Sequence, residues 1–216
     1  NVYYRDQGDS YVTKSMNFNR ILSESDAFIN EQSAGGGGDF PEAMDVGLDT
    51  AINRLSWSEN ARARILFLIL DAPPHNGSEI NERLQRLIHQ AAEKGIRIVP
   101  VGARGIDKST EYLMRALALG TNGTYTFLTD HSGIGNSHIK PSTDSYEVET
   151  LNAILVRILK SYTYMPDCQQ NIPDLAHIGY PIAEVWQDGT AFITKAPDTG
   201  GLVNFDTVRQ QLLYEV

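Results

Sequence analysis

Two aspartates and three histidines of this chain occupy positions where metal chemistry is feasible. Asp71 follows directly on the apolar run Ile65–Leu70 and opens the stretch Asp71-Ala72-Pro73-Pro74-His75. Asp39 closes the stretch Ala34-Gly35-Gly36-Gly37-Gly38-Asp39, and His131 and His138 fall in the polar loop 129–145. A pair of carboxylates offers the hard oxygen donors that Mg²⁺ or Ca²⁺ prefer, often through a bridging water, and Mn²⁺ accepts the same set. Histidines add nitrogen donors for a transition metal, or groups that titrate together; their alternative role is to hydrogen-bond loop backbone. The alternative for Asp39 is a helix N-cap, and for Asp71 a turn residue before two prolines. His89 on a helix and His177 in the tail join no pattern. There is no His-x-x-x-His or His-Glu-x-x-His, and no Ser or Cys stands in a nucleophile motif, so the expectation is a protein without catalysis. A hydrolytic metal held by Asp71, His75, His131 and His138 is the competing enzyme reading.

The elements that must position these residues alternate in type. Six successive apolar residues, Ile65 to Leu70, do not alternate as a half-exposed strand would, so they predict a central strand buried on both faces of a parallel sheet. Asp71 then lies at the carboxyl end of that strand, where such sheets present ligands. Val2–Asp6 and Tyr11–Phe18 flank Gln7-Gly8-Asp9-Ser10 and predict an antiparallel hairpin. Ile21, Leu22, Phe28 and Ile29 have the spacing of a short amphipathic helix. Asp39, Pro41 and Glu42 suit the start of the next helix, on which Met44, Leu48, Ala51, Ile52 and Leu55 share a face. Further strands are expected at Ile96–Val101 and Thr124–Leu128, and further helices around Ile80–Ala91, Tyr112–Leu119 and Val148–Leu159. Alternation from residue 44 to 160 predicts an α/β fold with a doubly wound, mostly parallel sheet and one antiparallel edge hairpin. Prolines 166, 173, 181 and 197 punctuate the remainder of the chain, so residues 1–164 read as one domain and 165–216 as a C-terminal extension with a small β element.

Composition narrows the class of partner. With 18 basic against 27 acidic residues and a formal charge of -9, the chain lacks the basic patch that a nucleic acid requires. No apolar run approaches the ~20 residues that span a bilayer. The single cysteine, Cys168, excludes an internal disulfide and a Cys-based metal cluster. Asn76-Gly77-Ser78 and Asn122-Gly123-Thr124 match the glycosylation sequon but also read as ordinary turns.

The order hairpin, helix, glycine-rich loop into a helix, and buried strand ending in Asp resembles the von Willebrand factor type A domain over residues 1–162. The likeness is to bacterial members with Gly-Gly-Gly-Asp-x-Pro-Glu in the second metal loop and Asp-Ala-Pro-Pro-His in the third. That resemblance implies a cation at the top of the sheet, with Asp71 as the third-loop ligand. The second loop has no Thr and Gly38 has no side chain to offer, so Asp39 takes that duty; Gly38, His75, His131 and His138 are candidates for the ligand rim. The first loop of the family, Asp-x-Ser-x-Ser, does not occur before the hairpin, and the central strand that carries it is expected to come from a missing N-terminal part. A permuted source, Thr190–Thr194 followed by Asp198-Thr199-Gly200-Gly201, is the second account.

The function implied is a non-catalytic protein-binding or adhesion module, in which an acidic residue of a partner completes the cation's shell. A structural domain with a decayed metal site is the alternative. The resemblance implies a bacterial envelope or extracellular setting.

Overall fold

The computed structural model describes residues 1–33, 35, 39–103, 106–128 and 149–165, together with the backbone of 182–185 and 191–193. Two compact units are present, Asn1–Tyr164 and Met165–Val216. In the second, β6 (Ile182–Val185) and β7 (Ala191–Ile193) pair antiparallel.

The first unit is α/β. Strand β1 (Val2–Tyr4) pairs antiparallel with β2 (Thr13–Ser15), shorter than the sequence pattern predicts. A three-stranded parallel sheet comes next, in the order β3 (Arg64–Leu70), β4 (Ile96–Gly102), β5 (Thr126–Phe127). Helices α3 (Ser78–Glu93) and α4 (Lys108–Gly120) connect these strands, as parallel neighbours require. Helix α5 (Leu151–Thr163) comes after β5 and buries Ile158.

The core follows from the apolar pattern. Leu66, Leu68 and Leu70 of β3 meet Met44, Leu48 and Ile52, along with Leu84 and Leu87 of α3. Burying each such side chain contributes about 1.5–3 kcal/mol. The other face of β3 departs from the expectation of a strand covered on both sides. Ile69 is 52% exposed, and among the described residues β3 pairs with β4 alone, so it is an edge strand.

The helix after the glycine-rich loop takes an unexpected form. Its α-helical part, α2 (Met44–Asp49), continues as a π-helical turn over Thr50–Arg54. The wider turn leaves carbonyls that other groups take up: Trp57 Nε1 donates to Ala51 O at 2.9 Å and Lys94 Nζ to Ile52 O at 2.9 Å. The N-cap residue is Ala43, and no side chain caps the helix, so Asp39 is not the cap that its position suggests. Asp45 at its start is buried and accepts a hydrogen bond from Arg83 Nη1 at 2.7 Å, which ties α2 to α3.

Helix α1 (Leu22–Asn30) buries no residue; it meets the hairpin through Tyr3 and Phe28, whose ring centroids lie 5.8 Å apart. The hairpin in turn rests on α2 at Gly47, where an added Cβ would stand 2.9 Å from Tyr4 side-chain carbons. Gly47→Ala is therefore expected to push the hairpin off α2 and to destabilise the domain by about 1–3 kcal/mol in urea unfolding. Equal stability of the variant would contradict this packing.

Candidate functional site

Three chain segments converge beside the carboxyl end of β3. The first leaves β1: Arg5 N donates to Val12 O at 2.9 Å, which holds the hairpin and leaves Asp6 just beyond it. The second is the loop before α2. Arg5 Nη2 donates to Ser33 O at 2.7 Å, and Glu42 N donates to Pro73 O at 2.9 Å, so this loop is fastened both to the hairpin and to the exit of β3. The third is the exit itself, where Glu42 and Pro74 form an isolated parallel bridge and His75 is the next residue.

These anchors bring Asp6, Asp39 and His75 together. One ligand atom from each lies within 4.8 Å of the other two. Asp6 and His75 pair directly through Oδ1 and Nε2, with the Asp6 side chain 14% and that of His75 28% exposed. Asp39 is exposed. Around them the charge is negative. Glu42 Oε2 is enclosed and has no hydrogen-bond partner among the described residues. Burial, and then repulsion from Asp6, Asp9 and Asp71, push the Glu42 carboxyl above the usual carboxylate range. Burial, reinforced by the charges of Asp71 and Glu42, raises the Tyr4 phenol in the same way.

Of the residues singled out from sequence, Asp39 and His75 enter this cluster. Asp71 is exposed at the end of β3 and stands outside the converging trio, acting on Tyr4 and Glu42 by charge. Gly38, His131 and His138 lie outside the described residues. Sequence reasoning misses Asp6, although the signal that singles out Asp71, a carboxylate just past a strand, applies to it as well. Glu42, which its position suits to be a dipole partner, is instead tied by its backbone to Pro74, with its Oε2 enclosed.

Residues 161–216 match the model of the acyclic terpene utilisation family protein AtuA. Comparison with curated proteins gives no match. The expected relationship to von Willebrand factor type A domains is thereby corrected: the family match is to AtuA, and the adhesion role and adhesion-type metal site inferred from that relationship go with it. The physical reason is that two short loop motifs and an alternating element order can arise in many α/β chains, so neither carries identity.

The Asp6–His75 pair has a definite pH signature. The hydrogen bond to Asp6 raises the His75 imidazole above its ordinary value, and the hydrogen bond to His75, with a smaller one from the Gln7 backbone, lowers the Asp6 carboxyl. The histidine contribution to stability is complete below about pH 6.5 and lost as pH rises through the raised value; the aspartate contribution is complete above about pH 3.9 and lost as pH falls through the lowered one. Both are full between these limits. Asp6→Asn should return the His75 titration, followed by imidazole NMR, towards about 6.5 and remove stability in that window. An unchanged His75 titration would show that the pair does not form in solution.

Proposed function

We propose that residues 1–164 form a non-catalytic binding domain that holds a divalent cation with Asp6, Asp39 and His75 and presents it to a protein ligand. The convergence of three ligand atoms from separate segments within 4.8 Å carries this reading. Three protein donors at an exposed rim leave coordination positions open, and an oxygen donor of a partner suits them. The imidazole shifts the preferred ion from Mg²⁺ or Ca²⁺ towards Mn²⁺ or Zn²⁺. A cation would also offset the repulsion among Asp6, Asp39, Glu42 and Asp71. The order β3-α3-β4-α4-β5 is compatible with part of a Rossmann-like arrangement, with the site at the carboxyl end of its strands.

Chelator-treated protein is expected to gain thermal stability with Mn²⁺ or Zn²⁺, by about 2.7 kcal/mol at a hundredfold excess over Kd. Asp39→Asn and His75→Ala should each weaken binding about tenfold or more. The absence of any shift, or shifts in both variants as large as in the unaltered protein, would reject the site.

A second reading rests on the AtuA match, which favours a role in the use of acyclic terpenes. A cleft of about 420 Å³ between α3 and α4, with Leu84, Ile88, Leu113 and Ala116 in its wall, has the size and apolar character for a branched hydrocarbon chain. An acyclic terpene alcohol should then raise the melting temperature of the protein, and Ala116→Trp, which fills the cleft, should abolish the effect. Binding that persists in this variant would place the ligand elsewhere.

A further inference from the structure

The outer edge of β3 has the character of a docking edge rather than of a protected one. Over the paired positions from Arg64–Ile96 to Leu70–Gly102, β3 has β4 on one side, and among the described residues no strand lies on the other. In a parallel strand, backbone groups point to alternate sides. Leu70 O accepts from Ala103 N at 2.9 Å on the β4 side, whereas the carbonyl of its neighbour Ile69 faces outward, where the Tyr4 hydroxyl reaches it at 3.4 Å. Ile65, Phe67 and Ile69 therefore aim their backbone groups away from β4. Exposed edges are ordinarily blunted by charge, proline or a bulge. Between Ile65 and Leu70 there is no charged residue and no proline, and β3 pairs with β4 without a register shift. The Ile69 side chain is 52% exposed beside Leu68 and Leu70 at 6% and 2%.

The surroundings select the occupant. The hairpin stands beside this edge, since Tyr4 both packs on Gly47 and reaches Ile69. A single extended segment needs only the width of one strand, ~4.8 Å, beside the hairpin. The ends of β3 differ in charge. Arg62 and Arg64 lie at its amino end, and Asp71 lies at its carboxyl end with Glu42 near by. A basic residue is therefore favoured at the carboxyl end and disfavoured at the other.

We infer that the outer edge of β3 takes one extended apolar segment of a partner polypeptide, with a basic residue at the end that lies beside Asp71. The inference goes beyond the proposed cation site and does not depend on it. Main-chain hydrogen bonds to Ile65, Phe67 and the Ile69 N–H supply affinity, while the Ile69 carbonyl stays with the Tyr4 hydroxyl, and the apolar side chains cover Ile69.

The test uses a labelled peptide, Val-Thr-Val-Ile-Val-Lys-Lys, added to the full chain in the presence of EDTA, so that loss of the cation site cannot affect the result. Fluorescence polarisation should show saturable binding, and hydrogen exchange should slow at the amides of Ile65, Phe67 and Ile69. Ile69→Lys should weaken binding about tenfold while leaving the circular dichroism and melting temperature unchanged, because that side chain is exposed. Replacing the two lysines of the peptide with glutamates should weaken binding by a similar factor. The inference is overturned by any of four results: no saturable binding, slowed exchange at other strands only, equal binding by Ile69→Lys, or sedimentation showing that the chain alone pairs through β3 as a dimer.

Discussion

The parallel pairing of β3 with β4 is the interaction on which the rest of the first unit depends. It runs without a register shift from Arg64 to Leu70 and sets the height at which Asp71, the two prolines and His75 leave the sheet. It also turns Leu66, Leu68 and Leu70 towards Met44, Leu48 and Ile52, so that the same strand carries both the core and the rim. A slip of one residue would exchange those leucines for Ile65, Phe67 and Ile69 and would move the rim away from the hairpin.

The rim is an electrostatic compromise. Asp6 is balanced by His75, but Glu42 and Asp71 add negative charge beside the half-buried Tyr4 phenol, and Glu42 Oε2 is enclosed without a partner among the described residues. An arrangement of this kind costs folding energy unless a proton or a cation offsets it. The backbone ties of Glu42 to Pro73 and Pro74 hold it in place. Repulsion that folding does not relieve is available to a ligand of opposite charge, which connects the geometry of the loop to the proposed binding role.

The binding proposed at the rim and that proposed at the β3 edge would draw on different physics. The rim offers directed polar atoms and net negative charge, whereas the edge offers unpaired backbone and an exposed isoleucine. The AtuA match covers residues 161–216, whereas the residues of rim and edge fall between Asp6 and His75 in the sequence. A partner that engaged rim and edge together would gain from their proximity, since one additional strand beside β3 ends next to Asp71.

Much of the local architecture is legible in the sequence. The hairpin, the α3 and α4 stripes and the β3 and β4 runs follow from apolar periodicity and turn residues, because burial on one face imposes a period that side chains record. Asp39 and His75 stand out by type and by their place after a glycine-rich loop and a strand. Tertiary structure alone decides that Asp6 joins them, because a residue 69 positions away from His75 meets it only through the packing of Tyr4 on Gly47. It also decides that Asp39 caps no helix and that Asp71 stands outside the trio, since the Glu42–Pro74 bridge sets the path of the loop. The apolar run of β3 does not reveal whether it has one neighbour or two, because periodicity reports the burial of side chains and not the pairing of the backbone.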